Sequence, residues 1–203
     1  MLEVNKIYNE NCLTTMSKME DKSIDLIVTD TPYGVKKAEW DDEFPTFWVQ
    51  EAIRVSKRML IMPGNWALAK ACKELEIVYR DLIILHSKNG MTKSKISFGN
   101  FIPVIATGEW KWKPRPNHIE FNVKINEKID HPTPKPKEAM IKLLEYYKDD
   151  SRIIYDPFSG SGTTMVSCIY HEIDWIASEI NQEYVDIAEK RIKIEQSKLR
   201  FQF

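Results

Sequence analysis

The sequence lacks the features that mark secreted and membrane proteins. No uninterrupted apolar run approaches the length of a membrane-spanning helix, and the N-terminus MLEVNKIYNE has no basic stretch followed by a long apolar run. The three cysteines, Cys12, Cys72 and Cys168, are odd in number, widely spaced and without a CxxC pair, which is typical of reduced structural thiols. We therefore expect a cytoplasmic protein in a reducing, intracellular setting.

An excess of charge of one sign is also lacking. The chain has 29 basic and 30 acidic residues, so its formal net charge of −1 gives no overall attraction to nucleic acid, and any such role depends on local charge. Its 203 residues are 43% hydrophobic and 29% charged, which is ordinary for a globular protein with one sizeable core. The sequence has no internal repeat and no low-complexity tract. We expect a single domain over residues 1–203.

Apolar strands alternate with helical segments along the chain. Buried runs such as IDLIVTD and RIIYD predict strands, and NWALAKACKEL and KEAMIKLLEYYK have helical spacing. This alternation predicts an α/β fold with a mostly parallel sheet, helices on both faces, and ligands at the carboxyl ends of the strands. The segment from about Trp110 to Pro136 is rich in proline, lysine and asparagine and predicts a long loop.

The segment TDTPYG directly follows the predicted strand IDLIV. Asp30 would lie at the carboxyl end of that strand, where Pro32 fixes a backbone torsion and Gly34 permits a sharp exit. Such a turn either ends an ordinary strand or forms a rigid platform for chemistry. Tyr33 would then either cover the edge of the sheet or stack on a base.

A second turn, YDPFSGSGTT at 155–164, follows a predicted strand and opens a predicted helix. Its glycines let the backbone pass close to a ligand at the helix amino end. The absence of GK[ST] excludes an ATPase phosphate loop, and Met165 occupies the third glycine position of a dinucleotide fingerprint. A nucleoside without a pyrophosphate fits better, because Glu179 after the next strand could accept both ribose hydroxyls. The alternative is a tight turn with a solvated acid.

Three ordered motifs resemble those of the DNA amino-methyltransferases. DPFSGSGTT resembles their S-adenosylmethionine-binding motif, DTPYG resembles their DPPY catalytic motif, and HPTPKP at 131–136 resembles the segment before the cofactor motif in permuted, beta-type members. The catalytic motif precedes the cofactor motif, as in that circularly permuted arrangement, and the resemblance covers nearly the whole chain. Thr31 departs from it by replacing the first proline of DPPY, and Asn11 stands where an acid is usual.

The resemblance implies a Rossmann-like methyltransferase domain that uses S-adenosylmethionine, without a metal, to methylate N6 of adenine in double-stranded DNA. N4 of cytosine is the alternative target. The Asp30 carboxylate and the carbonyl oxygen of residue 31 would accept the two N–H bonds of the amino group of a flipped base. The catalytic residues that the resemblance implies are Asp30, Thr31, Pro32 and Tyr33. The cofactor-binding residues that it implies are Asn11, Thr133, Lys135, Asp156, Phe158, Gly160, Ser161, Gly162, Thr163 and Glu179.

Two of these assignments have alternatives of equal weight. Lys135 would be the counter-ion of the methionine carboxylate or an ordinary solvated loop lysine. Asn11 would contact the cofactor's adenine or make a local hydrogen bond in a turn. Because related permuted enzymes are often dimers, the resemblance also implies a homodimer as one assembly.

Residues 87–130 are a candidate minimal target-recognition insert with local positive charge. Between positions 88 and 115 the chain has six basic residues and one acid, Glu109, so a surface for phosphates is expected there. Trp110 and Trp112 could stack on bases, or could belong to the core. The predicted nucleic-acid-binding residues are Lys36, Lys88, Lys93, Lys95, Lys111, Lys113 and Arg115.

Two other classes of function stay open. One is a methyltransferase that acts on RNA, on a small amine or on a protein, although the basic, tryptophan-containing segment favours a polymer. The other is an inactive homologue that binds nucleic acid or acts as a scaffold. The intact Asp30, Tyr33, GSG turn and Glu179 argue against such decay.

Overall fold

The computed structural model describes residues 2–31, 46–90, 92–93, 98–123 and 135–200. The strands in these residues are β1 (Lys6–Tyr8), β2 (Leu26–Asp30), β3 (Arg58–Met62), β4 (Tyr79–Ser87), β5 (Thr92–Lys93), β6 (Phe98–Gly99), β7 (Phe101–Gly108), β8 (His118–Phe121), β9 (Ile153–Asp156) and β10 (Asp174–Ser178). The helices are α1 (Cys12–Met16), α2 (Val49–Val55), α3 (Gly64–Glu74), α4 (Lys137–Tyr147), α5 (Thr163–Tyr170) and α6 (Gln182–Arg200).

One eight-stranded sheet organises the described residues, in the order β1-β10-β9-β2-β3-β7-β4-β8. All neighbouring pairs are parallel except those that β7 makes with β3 and β4. The predicted α/β class with a mostly parallel sheet is therefore confirmed. Tyr8, Asp30, Met62, Asp156 and Ser178 end their strands on the same side of the sheet, which we name the carboxyl edge. The opposite side is the amino edge.

Helices cover both faces of the sheet and bury two apolar cores. In β2, Leu26 and Val28 point into the core that α4, α5 and α6 cover, while Ile27 points into the core that α1, α2 and α3 cover. Successive strand residues face opposite sides, so a strand covered on both faces must be apolar throughout. This is why IDLIV is a continuous apolar run without alternation.

The prediction of a long loop between positions 110 and 136 is wrong in part, because this segment contains β8. This strand pairs in parallel with β4 at the end of the sheet. Its sequence HIEF alternates, with Ile119 and Phe121 buried and His118 and Glu120 exposed. Four residues give too short a pattern to stand out from their proline-rich surroundings, and only the pairing with β4 makes them a strand.

Two further findings concern cysteines and membrane segments. Cys12 and Cys168 are buried in the two cores as free thiols, and burial raises the pKa of Cys12 to about 11. Among the described residues, no helix is long and apolar enough to cross a membrane.

Candidate active site

Asp30 ends β2 at the carboxyl edge, and its side chain is 26% exposed. Its Oδ2 atom lies 2.5 Å from the Nζ atom of Lys135, whose side chain is 12% exposed. Lys135 lies 105 positions further along the chain, two residues before α4. The structure therefore brings the predicted catalytic acid and a predicted cofactor residue into a direct ion pair.

Thr31, which replaces a proline of the family motif, extends the pairing between β2 and β3. Its backbone N–H donates to the carbonyl oxygen of Met62 at 3.3 Å, and its hydroxyl donates to the same oxygen at 3.4 Å. A proline has no N–H to donate, so it would fix the chain through its ring instead. Thr31 is buried, and these hydrogen bonds fix it against β3 where the motif's proline is missing.

Asp156 is buried at the end of β9 and is joined directly to β2. Its Oδ1 atom accepts the hydroxyl proton of Thr29 at 2.7 Å and the backbone N–H of Phe158 at 3.1 Å. Burial raises the pKa of Asp156 to about 7, and the charge of Asp30 adds to that rise, although hydrogen bonds from Thr164, Thr29 and Phe158 lower it. The Asp156 side chain thus fixes the start of the Gly-rich turn against the strand that carries Asp30.

The Gly-rich turn 157–162 needs glycine at two positions for its shape. Gly160 has a φ of 48° and Gly162 a φ of 85°, both in the left-handed region that favours glycine. A Cβ atom on Gly162 would also lie 2.8 Å from the Cβ of Ala188 in α6. The turn therefore packs tightly on α6 and presents the amino end of α5 at the carboxyl edge.

Arg191 holds the same turn from α6. Its Nη1 atom donates to the carbonyl oxygen of Ser161 at 2.5 Å, to the Ser161 hydroxyl at 3.0 Å and to the Thr163 hydroxyl at 3.2 Å. The sequence interpretation missed Arg191, because one arginine on an amphipathic, charged helix gives no signal of its own.

Glu179 follows β10 and turns its carboxylate to the Gly-rich turn. Its Oε2 atom accepts the backbone N–H of Gly160 at 2.8 Å, and its Oε1 atom accepts that of Asn181 at 2.9 Å. Burial raises its pKa, although these backbone hydrogen bonds lower it. Each carboxylate oxygen can accept two hydrogen bonds, so both oxygens keep capacity for a ligand hydroxyl.

Two polar side chains near the turn behave differently. Asn11 accepts the backbone N–H of Leu13 at 2.9 Å through Oδ1 and so caps α1, which is the local hydrogen bond that the sequence allows. Ser159 is 6% exposed, and its hydroxyl has no hydrogen-bond partner among the residues that the structure describes. Buried polar atoms are normally hydrogen-bonded, so this hydroxyl in the turn is consistent with a ligand site that sequence interpretation missed.

Comparisons with known proteins point to one family. A family model described as DNA methylase matches residues 106–190. Type II methyltransferase M1.MboII of Moraxella bovis is 26% identical over 93% of this chain and 96% of its own length. DNA adenine methyltransferase YhdJ of Escherichia coli is 22% identical over 95% of this chain and 84% of its own length. The chain is thus similar over most of its length to DNA methyltransferases, in agreement with the resemblance of its motifs.

Solved structures show the same fold. The M1.HpyAVI–SAM complex has a TM-score of 0.72 at 23% identity, covering 92% of this chain and 98% of that one. The cytosine-N4-specific PvuII DNA methyltransferase has a TM-score of 0.71 at 14% identity, covering 94% of this chain and 87% of that one. At these identities the likeness shows the fold, and the site must be judged from this chain's own residues.

The structure separates the predicted basic residues into two groups. Because β7 runs antiparallel to β3, Gly108 lies opposite Arg58, and the segment that follows it lies at the amino edge. That edge is roughly 13 Å from Asp30, at ~3.3 Å per strand residue. Lys88 follows β4 at the carboxyl edge. The predicted basic residues therefore do not form one surface, because Lys111, Lys113 and Arg115 lie at the amino edge. Their binding of phosphates stays a prediction of the sequence.

A buried acid at the amino edge engages two of these residues. Asp149, whose side chain is 5% exposed, lies 2.9 Å from Arg58, 2.9 Å from Lys113 and 3.2 Å from Arg115. The guanidinium groups of Arg58 and Arg115 also lie 5.0 and 5.5 Å from the centre of the Trp110 ring. These contacts favour a structural role for Arg115 over reading of bases.

Several predicted site residues lie outside the described residues. They are Pro32 and Tyr33 of the catalytic turn, Thr133 of the cofactor set, and the basic residues Lys36 and Lys95. For Lys93 in β5 the structure describes the strand and not the side chain. Their roles stay predictions of the sequence.

Proposed function

We propose that this chain transfers a methyl group from S-adenosylmethionine to N6 of adenine, at specific sites in double-stranded DNA. The observation that carries the proposal is that Asp30 and the Gly-rich turn lie at the same carboxyl edge. Asp30 ends β2, the Gly-rich turn follows β9, and β2 and β9 are neighbouring parallel strands joined by the hydrogen bond between Thr29 and Asp156. Ligands of such sheets bind outside the carboxyl ends of neighbouring strands.

The residues at this edge fit S-adenosylmethionine. Glu179 has acceptor capacity for the two ribose hydroxyls, and the Ser159 hydroxyl is a buried polar group suited to a polar ligand atom. Gly160 and Gly162 permit the left-handed backbone that shapes the turn, and the missing Cβ of Gly162 lets the turn pack on α6. One solved protein of this fold is a complex with S-adenosylmethionine, which supports the same choice here. When bound, the cofactor supplies an electrophilic methyl group.

Asp30 and Thr31 would prepare the amino group of the target base. The exocyclic nitrogen is a poor nucleophile because its lone pair is delocalised into the ring. Acceptance of its two N–H bonds by the Asp30 carboxylate and the Thr31 carbonyl favours a more tetrahedral nitrogen. Asp30 also stabilises the positive charge that develops on the nitrogen, which lowers the barrier in the transition state. Holding the nitrogen in line contributes several kcal/mol of the roughly 7–11 kcal/mol available from positioning.

Adenine is the base that the available observations favour. An aspartate at the first position of the catalytic motif resembles the adenine enzymes more than the Ser-Pro-Pro-Tyr cytosine group, and one relative over most of the chain is an adenine methyltransferase. The likeness to the PvuII enzyme concerns the fold and does not move the target to cytosine. A homodimer stays a prediction of the resemblance.

Incubation with methyl-labelled cofactor and unmethylated double-stranded DNA, followed by mass spectrometry of the nucleosides, tests the proposal. N6-methyladenine is the expected product. N4-methylcytosine would replace the adenine assignment with the runner-up, and label in added RNA alone, or in neither polymer, would overturn the DNA assignment.

A pair of variants tests the role of Asp30. We expect Asp30→Ala to abolish transfer while the cofactor dissociation constant changes less than about threefold, because Asp30 serves the base and not the cofactor. Asp174→Ala is the matched control, since this acid accepts a hydrogen bond from Asn5 at the amino end of β10, far from the site. Equal loss of transfer and of cofactor binding in Asp30→Ala would mean that Asp30 is structural.

A further inference from the structure

The Lys135 ammonium group contacts the carboxylate of Asp30 and so acts where chemistry is proposed. The Nζ to Oδ2 distance is 2.5 Å, and the two side chains are 12% and 26% exposed. A charge-assisted hydrogen bond that is partly shielded from water is stronger and better ordered than a surface ion pair. The bond therefore restricts rotation of the Asp30 side chain.

The main chain of Lys135 is hydrogen-bonded to α5, directly after the Gly-rich turn. Its carbonyl oxygen accepts the hydroxyl proton of Thr163 at 3.4 Å, and the same hydroxyl oxygen accepts a hydrogen bond from Arg191 at 3.2 Å. Lys135 thus contacts Asp30 through its side chain and the first residue of α5 through its backbone. Asp30 and the start of α5 are therefore linked through one residue.

The charges at this edge require a cation beside Asp30. The buried Asp156 carboxyl lies at the end of the neighbouring strand, and the negative charge of Asp30 contributes to its raised pKa. Two acids so close repel each other when both are ionised. The ammonium group of Lys135 offsets the charge of Asp30, and the lysine bond takes one of the about four acceptor positions of the carboxylate.

We propose that Lys135 is a positioning residue, which holds the Asp30 carboxylate in the orientation that receives the target amino group. The proposal rests on the proposed function and differs from the role that the resemblance gives Lys135 as counter-ion of the methionine carboxylate. Moving Lys135 to the cofactor would break its partly buried ion pair with Asp30, which is costly. Lys135 acts through Asp30 and forms no bond to the base.

The test compares Lys135→Met, Lys135→Arg and the control Lys137→Met. Lys137 makes an ion pair of similar burial with Glu195 on α6, with 2.6 Å between Nζ and Oε1. Loss of this ion pair therefore reports the general effect of removing such a pair. We expect Lys135→Met to lower kcat about 10²-fold, as a carboxylate misplaced by about 1 Å would, with a cofactor dissociation constant changed less than about threefold. Lys135→Arg should restore part of kcat, and Lys137→Met should retain wild-type kcat.

Two double-mutant cycles show whether Lys135 acts through Asp30. With Asp30→Asn already present, Lys135→Met should lower single-turnover transfer less than twofold further, because the residue that it positions has lost its function. In thermal unfolding without cofactor or DNA, the shifts in midpoint of the same two substitutions should be non-additive, which checks the ion pair independently of any activity.

Specific results would overturn the proposal. A rise in the cofactor dissociation constant that matches the fall in kcat would assign Lys135 to the cofactor, and an unchanged kcat would remove it from the reaction. Additive midpoint shifts would mean that the ion pair does not form in solution. Wild-type protein that methylates no DNA while the shifts are non-additive would contradict the proposed function and leave the ion pair supported, so the two failures are distinguishable.

Discussion

The buried carboxyl of Asp156 should make the stability of this protein fall as the pH rises from about 4 to about 7. Burial raises its pKa from the ordinary 3.8 to about 7. Between these values the unfolded chain has lost the proton that the folded chain keeps. The folded state therefore binds more protons, and the free energy of unfolding decreases with rising pH. Below the lower value both states are protonated, and above the higher value both are ionised, so the slope is confined to this window.

The magnitude follows from the size of the pKa change. A rise from 3.8 to about 7 corresponds to about 4 kcal/mol, at ~1.36 kcal/mol per unit of pH. Asp156→Asn removes the titration with little change of shape. Its amide oxygen can accept from Thr29 and Phe158, and its amide nitrogen can donate to the Thr164 hydroxyl. We consider the difference in unfolding free energy, variant minus wild type. This difference should increase by about 3–4 kcal/mol between about pH 4.5 and pH 8.

Urea unfolding without ligands, followed by tryptophan fluorescence, measures this difference at each pH. Subtraction cancels the titration of the other groups. Asp25→Asn is a control for which the difference in unfolding free energy should change with pH in the opposite direction. Burial of Asp25 opposes ionisation, but Lys57 and the backbone N–H groups of Arg152 and Ile153 outweigh it and lower its pKa. Its contribution is present above the unfolded pKa and lost as the pH falls through the lower folded pKa. A difference for Asp156→Asn that stays flat between about pH 5 and 8 would refute the reasoning.

Two further substitutions test the Gly-rich turn. Gly162→Ala places a Cβ 2.8 Å from that of Ala188 at a φ of 85°, so we expect about 2–4 kcal/mol lower unfolding free energy and weaker cofactor binding. Gly108→Ala, at a φ of 87° on the amino edge, should destabilise without changing the cofactor dissociation constant, and an equal loss of binding in both variants would contradict this. Arg191→Met removes the hydrogen bonds to the Ser161 carbonyl and its neighbours, so calorimetry should show about tenfold weaker cofactor binding with kcat little changed; unchanged binding would make Arg191 dispensable for the turn.

The buried parallel strands could be predicted because their sequences report burial directly. Leu26 and Ile27 face opposite cores, so the run is apolar at every position, and the Asp30 that ends it must come out at the carboxyl edge. The strand β8 could not be predicted in the same way. Ile119 and Phe121 are two apolar residues in four, and their burial depends on β4 and α4, which are distant in sequence. Tertiary pairing decides the structure of such a short segment.

The identity of the chemical groups at the edge could be predicted, but not which group each one contacts. Asp30, Asp156 and Glu179 each come at the end of a strand, and strand direction alone brings them to one edge. Lys135 lies 105 positions from Asp30, and Arg191 lies 30 positions from Ser161, so no local spacing links these pairs. The resemblance places Lys135 near the methionine carboxylate, and a family motif names positions and not the partner that each side chain contacts.

The basic segment shows how a count of charges along the chain can mislead. Between Lys88 and Lys111 the chain forms β7, which runs back across the sheet, so residues close in sequence separate to opposite edges. The two tryptophans of this segment differ in burial. Trp110 packs on the buried Tyr147 ring, with 5.8 Å between ring centres, whereas Trp112 is 88% exposed at the amino edge. A surface that receives a duplex around a target base must adjoin Asp30, so local charge supports DNA binding only for residues that strand direction returns to that edge.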